Sequence, residues 1–439
     1  MARSRNVLTS HQSIRLAGRM FESLQVSAFR DLWIGMLASY IGMYMGMVSR
    51  GYLAYEISGS ATVLGIVTVA SGIPMLFLSP VGGVLADMMN RRLILIHSQI
   101  FMVVSSLFIA ALIHLNLIAI WHLAFFGLLQ GILFTINMPA RSSALPHLVG
   151  RPLLASAIGL TNSGRNLMSV IAPAIAGTVI AIPWLGTAGA FDISAFTYVC
   201  ATLLMLRLPK SLAESRDRAQ VAFGQQMIAG FNYIFTQRPL LVLLLLGLIP
   251  ILFGMPLQSF LPVFQADVLH VGAVELGLLY SAIGIGGTLG SLIIAPLAES
   301  KHSHIMQLST GVFFGFTLIA FAYSTSFTLS MFFIGLVGFA GNACTGFNSA
   351  LVMLRTEEAF YGRVMSIYMM NWSLMTLFTL PLGMLVDRWG APLVTSVAAM
   401  GIVVFMAGAF VFFRDIREGQ HHGEELSVET GTAAAEKGA

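Results

Sequence analysis

Twelve long apolar stretches divide this 439-residue chain, and its basic residues collect in every second gap between them. The stretches lie at about 32–55, 61–86, 93–114, 117–138, 153–181, 186–206, 239–262, 273–297, 305–325, 328–350, 364–386 and 391–413. Each is long enough for an α-helix to cross a hydrocarbon core of ~30 Å, which takes about 20 residues. Of the 23 Lys and Arg residues, 20 fall on one side of such a membrane. The six opposite gaps hold only Arg388, and Arg50 and Arg165 lie inside stretches. An excess of Lys and Arg marks cytoplasmic loops, so both termini are expected on the cytoplasmic side of a cell membrane. A wrong count of spans would scramble the alternation.

Composition points the same way. Hydrophobic residues make up 57% of the chain and charged residues 10%, against roughly 25% charged in soluble domains. The net charge of +4 then reflects loops drawn to anionic lipid, and nucleic acid is not an expected partner. Cys200 and Cys344 fall within apolar stretches as small core residues, with no disulfide expected. His421-His422 sits in a polar tail and defines no metal site. No zinc-type His spacing, phosphate-cradling loop or Ser–His–Asp arrangement is present, so neither an enzyme nor a cofactor is expected.

The longest basic gap, 207–238, splits the spans six and six. Its apolar residues Phe223, Met227, Phe231, Ile234 and Phe235 recur at helical spacing, which predicts an amphipathic helix on the membrane surface. The expected organisation is a cytoplasmic tail (1–31), a six-helix bundle (32–206), the linker, a second bundle (239–413) and a disordered tail (414–439). The halves echo one another. Leu85-Ala86-Asp87 returns as Leu297-Ala298-Glu299, Ser143-Ala144-Leu145 as Ser349-Ala350-Leu351, and Gly150-Arg151 as Gly362-Arg363. Parallel repeats of this kind characterise transporters that rock about a site at mid-membrane.

The loop after the second stretch, Gly83-Val84-Leu85-Ala86-Asp87-Met88-Met89-Asn90-Arg91-Arg92, resembles the cytoplasmic signature of the major facilitator superfamily. Met88 stands where that signature has Arg, and Asn90 where it has Gly, although Asn also tolerates a left-handed turn. The resemblance implies an all-α integral membrane fold of twelve transmembrane helices in two pseudo-symmetric bundles. It also implies that Gly83, Asp87, Arg91 and Arg92 form a conformational latch. Phe29-Arg30-Asp31-Leu32-Trp33, Met138-Pro139-Ala140-Arg141 and Gly362-Arg363-Val364-Met365-Ser366 narrow the resemblance to the branch that holds the enterobactin exporter and macrolide-efflux-like proteins. It implies a monomeric exporter of a small amphiphilic, drug-like or siderophore molecule, coupled to protons; uptake of a metabolite and a non-transporting sensor or scaffold are the alternatives. Ala172-Pro173-Ala174-Ile175-Ala176-Gly177 and Gln130-Gly131 are similar to antiporter elements. The first has Ala for two Gly, and Gly127 stands where the second has Arg. Gly383 to Gly390 matches the signature again but falls on the outer side, as a structural turn or a gate contact.

Polar residues inside spans are costly unless they pair or face water, which makes them candidates for a substrate path. Asn162, Arg165 and Asn166 share a face of the fifth stretch with Ser169 and Pro173. Arg165 lies roughly 18 Å into that helix, near the midplane, where it suits an anionic or oxygen-rich substrate or pairs with helix carbonyls. Gln258, Asn342, Asn348 and Asn371 complete the candidates. Asp192, the one clearly intramembrane carboxylate, lies at a depth similar to Arg50, and the pair is a candidate for proton coupling or a fixed structural contact.

Overall fold

The computed structural model describes residues 21–88, 90–210, 223–294, 296–297, 300, 302–357 and 360–412. Among them every regular element is helical. After a short 3-10 turn (Glu22–Gln25), the α-helices in order are α1 (Ser27–Ser58), α2 (Ala61–Met88), α3 (Arg91–His114), Ile120–Ala181, α6 (Gly186–Met205), α7 (Phe223–Thr236), α8 (Arg238–Phe253), α9 (Leu257–Val263), α10 (Ala273–Ile294), α11 (Ser303–Ala322), α12 (Phe327–Leu354), α13 (Tyr361–Trp389) and α14 (Ala391–Phe412). In hydrocarbon a backbone must satisfy its own hydrogen bonds, and helices do so within one segment.

Ile120–Ala181 is broken at Gly150 (φ 70°, ψ 173°), which divides it into α4 (120–149) and α5 (151–181). Only glycine takes that conformation without a steric penalty. Contacts with α1 fix the directions of the two arms. Tyr40 and Arg50 meet Arg141 and Gln130, so α4 runs antiparallel to α1. Trp33 and Leu37 meet Leu160 and Gly164, so α5 runs parallel to it. Eleven of the described helical runs are long and apolar enough to cross a membrane. Because the broken one crosses twice, the chain has twelve transmembrane helices.

The seventh span is also discontinuous. It breaks over Gly254–Pro256 between α8 and α9, then continues as a single π turn, Phe264–Val268. Pro256 cannot supply the N–H that a continuous helix needs there. Several helices overrun their apolar stretches, α4 most of all, and carry Arg141 into the bundle interior.

The bundles repeat one packing scheme. Gly127 and Gly131 bring α4 onto α2, and Gly286, Gly290 and Gly338 bring α10 and α12 together in the same way. α3 packs on α6 as α11 packs on α14. The small residues of α1 serve the same end, since Gly35 and Gly42 lie against α6. α7 packs on the start of α13, where the Tyr233 ring stacks on Phe360 with centroids 4.1 Å apart. Residues 1–20 and 413–439 lie outside the described residues, as does 211–222 of the linker; of the expected N-terminal tail, 21–31 is described, and α1 already begins within it at Ser27.

Candidate functional site

Two long seams join the bundles, α2 with α13 and α5 with α10. Among the described residues, close backbone contacts in both lie toward the end opposite the basic loops. A Cβ on Gly65 would stand 2.8 Å from the Leu380 Cα, and one on Gly383 would stand 2.5 Å from the Ala61 carbonyl oxygen. In the second seam Gly177 and Gly277 meet backbone to backbone. Deeper in, the Ser281 hydroxyl donates to the Val170 carbonyl at 2.6 Å.

Polar contacts reinforce the same end. The Asp387 carboxylate accepts hydrogen bonds from the Ser60 hydroxyl (2.6 Å), the Ala61 N–H (2.6 Å) and the Thr62 N–H (3.0 Å), and so caps the first turn of α2 from α13. An acceptor at a helix N-terminus satisfies orphan donors and meets the positive end of the dipole. The Tyr55 hydroxyl donates to Asp267 at 2.5 Å, linking α1 to the π turn. Asp387 of the Gly383 to Gly390 segment therefore bridges the two bundles, and Gly390 (φ 82°) turns the chain at the end of α13.

Below these contacts a cavity of about 1180 Å³, counting its mouth, lies between the bundles. Arg165, Asn166 and Ser169 of α5 face Gln258 of α9, Asn342 of α12 and Trp372 of α13 across it. Tyr44, Met43, Met47 and Met255 supply an adaptable apolar wall. Asn162 and Arg165 are exposed on the α5 face that leads toward the basic loops, so the cavity opens at that end and is shut at the other.

Four of the seven substrate-path candidates, Arg165, Asn166, Gln258 and Asn342, thus line one cavity, and Asn162 lies at its approach. The other two sit elsewhere. Asn348 is fully buried and donates to the Leu243 carbonyl at 2.7 Å, tying α12 to α8 where Gly247 leaves it room. Asn371 is buried outside the cavity lining, one residue from Trp372. A polar residue turned from lipid can face a helix or a cavity, and spacing alone does not separate the two.

The anticipated Arg50–Asp192 pair does not form. Arg50 is buried and donates to the Gln130 side-chain oxygen at 2.7 Å, with its guanidinium 6.0 Å from the Phe126 ring centre. Its NH1 stands 3.2 Å from where a side chain on Gly127 would begin, so the guanidinium packs against α4 where that glycine leaves room. Asp192 is half-exposed and pairs with His114 at 3.1 Å.

At the latch, the side chain of Asp87 and the surroundings of Gly83 lie outside the described residues. Arg91 is buried, and Arg92 donates to the carbonyls of Leu206 (2.7 Å) and Leu208 (2.8 Å) at the end of α6. Cations suit a helix C-terminus. Asn90 adopts an extended conformation (φ −61°, ψ 108°) rather than a left-handed one, and its side chain caps α3 by accepting from the Leu93 N–H at 3.3 Å.

The family model described as transmembrane secretion effector matches residues 19–429. Macrolide efflux protein A of Streptococcus pyogenes is 21% identical over 362 residues, covering 82% of this chain and 88% of the relative. The enterobactin exporter of Escherichia coli O1:K1 is 27% identical over 341 residues, covering 74% and 79% respectively. Among solved structures, a nucleoside transporter superposes with a TM-score of 0.73 at 14% identity, covering 88% of this chain and all (100%) of that one. That likeness concerns the fold.

Proposed function

We propose, on the premise that this chain belongs to the transmembrane secretion effector family of the major facilitator superfamily, that it exports an amphiphilic small molecule from the cytoplasm by alternating access. The single observation that carries this reading is the cavity between the bundles, shut by the α2–α13 and α5–α10 seams and open toward the basic loops. Basic loops mark the cytoplasm, so this conformer is the inward-open state that loads cargo for export. Both termini then lie in the cytoplasm, and the membrane is the cytoplasmic one.

Arg165 lies some 14 residues, ~21 Å, from the start of α5. There an anionic or oxygen-rich part of the substrate meets a guanidinium, while the methionines and aromatic rings receive an apolar part. The names of the relatives, a macrolide efflux protein and an enterobactin exporter, fit cargo of mixed polarity. Coupling to protons rests on the antiporter-like elements. Asp192, with His114 beside it, is the proposed carrier, and Arg50 is a fixed buried cation held by Gln130.

The test compares metabolites secreted by cells with and without the chain, then measures flux of the enriched compound in inside-out vesicles. Accumulation that collapses with the pH gradient is expected. Uptake in right-side-out cells, with none in inside-out vesicles, would overturn the direction.

A further inference from the structure

We infer that a second pocket, built around Arg141 inside the first bundle, is a subsite for the anionic end of an elongated amphiphilic substrate. The inference rests on the export reading above. The pocket lies between α1, α3, α4 and α6. Tyr40, Met43, Phe134 and Met138 line both this pocket and the central cavity, so the two spaces adjoin across these side chains.

Three arginines of the first bundle show what distinguishes this one. Arg92 donates to two helix-end carbonyls, and Arg50 donates to Gln130. Arg141 is 7% exposed, its Nε has no hydrogen-bond partner, and its guanidinium rests over the Tyr40 ring at 5.3 Å. No carboxylate is among the described residues that line the pocket. A buried guanidinium N–H without an acceptor is costly, and a planar carboxylate matches the fork of donors that arginine presents.

The surroundings suit the same guest. Gln99, 4% exposed, also has an unpartnered side-chain oxygen, and rotating its amide would present N–H donors to an anion. Asn137 donates to the Ser98 hydroxyl at 2.5 Å, which holds the polar wall in place. The class of ligand is therefore an aryl or acyl carboxylate whose apolar body extends past Phe134 toward the central cavity.

The test uses purified full-length protein in nanodiscs, with 2-naphthoate, its uncharged amide 2-naphthamide, and inorganic phosphate as probes. Naphthoate should bind about tenfold or more tighter than the amide, as a charge-assisted contact implies. Arg141→Gln should erase that preference, and Arg141→Lys should restore part of it. If Arg141→Gln fails to fold, Gln99→Glu, which puts a carboxylate into the same pocket, should erase the preference instead. The subsite is overturned if the preference survives these changes, or if it is lost only on Arg165→Gln. It is also overturned if phosphate binds through Arg141 while naphthoate and the amide bind alike, which marks an inorganic-ion or lipid-phosphate site. Vesicle flux that persists in any of these cases leaves the export reading standing.

Discussion

Arg165, Arg141 and Arg50 are three arginines of the first bundle, and the structure gives them three different situations. Arg165 looks into the cavity, Arg141 into a side pocket, and Arg50 onto a glutamine. Arg165→Ala should raise KM for the exported compound at least about tenfold, since a hydrogen bond to a charged group is worth about 1.5–3 kcal/mol. Arg165→Lys should recover only part, because the planar fork is lost. Vesicle flux at graded substrate concentrations checks both, and an unchanged KM in folded Arg165→Ala would move the site elsewhere. Asn348→Leu should behave differently. It breaks the link to Leu243, so it should lower the unfolding temperature and leave KM alone. Sequence spacing identified Arg165 because its neighbours shared a face. It missed Arg141 because the apolar stretch ended at about 138, which made Arg141 look like a loop charge. Only the continuation of α4 to Gly150 puts it inside.

At the scale of helices, the outer closure combines backbone contact at glycines with one carboxylate. Asp387→Ala removes three acceptor contacts from the start of α2. The variant should shift the resting population toward outward-open by about 1.5 kcal/mol or more, roughly tenfold. A cysteine at Ser169 in the cavity should then react with an external impermeant thiol reagent at a correspondingly higher rate. Gly177→Val is the harsher test, because the α10 backbone stands where the new side chain would go. It should abolish export, with the outer seam held apart in the same labelling assay. The sequence located the helices well, since long apolar runs bounded by charge have one reading. It did not reveal that Asp387 of the second copy of the loop signature meets the start of α2, because Ser60 to Thr62 and Asp387 are separated by over 300 residues. Nor did it show that the seventh span divides at Gly254–Pro256, as proline and glycine within a span are common.

For the molecule as a whole, the paired bundles and their shared packing scheme were legible from six-and-six spacing and from short internal echoes. The conformer was not, because the same twelve helices serve either state. The membrane orientation is checked by single cysteines in a background lacking Cys200 and Cys344. Probes at Arg151 and Lys210 should label only from the cytoplasm, and probes at Leu117 and Trp184 only from outside; all four positions are exposed. Gly150, Asn116 and His270 are poorer choices, since each holds a positive φ that a cysteine would strain. Outside labelling at Lys210 in sealed cells would overturn the twelve-span arrangement. The glycine seams also bear on how the transporter senses its surroundings. Surfaces that fit by backbone contact draw their strength from dispersion, which dissolved salt does not screen as it screens exposed ion pairs. Lateral pressure from the outer leaflet pushes such surfaces together, whereas a loosened leaflet gives lipid tails access to them. The lipid composition of the outer leaflet, more than the ionic strength of the medium, should therefore set how long the molecule stays open toward the cytoplasm.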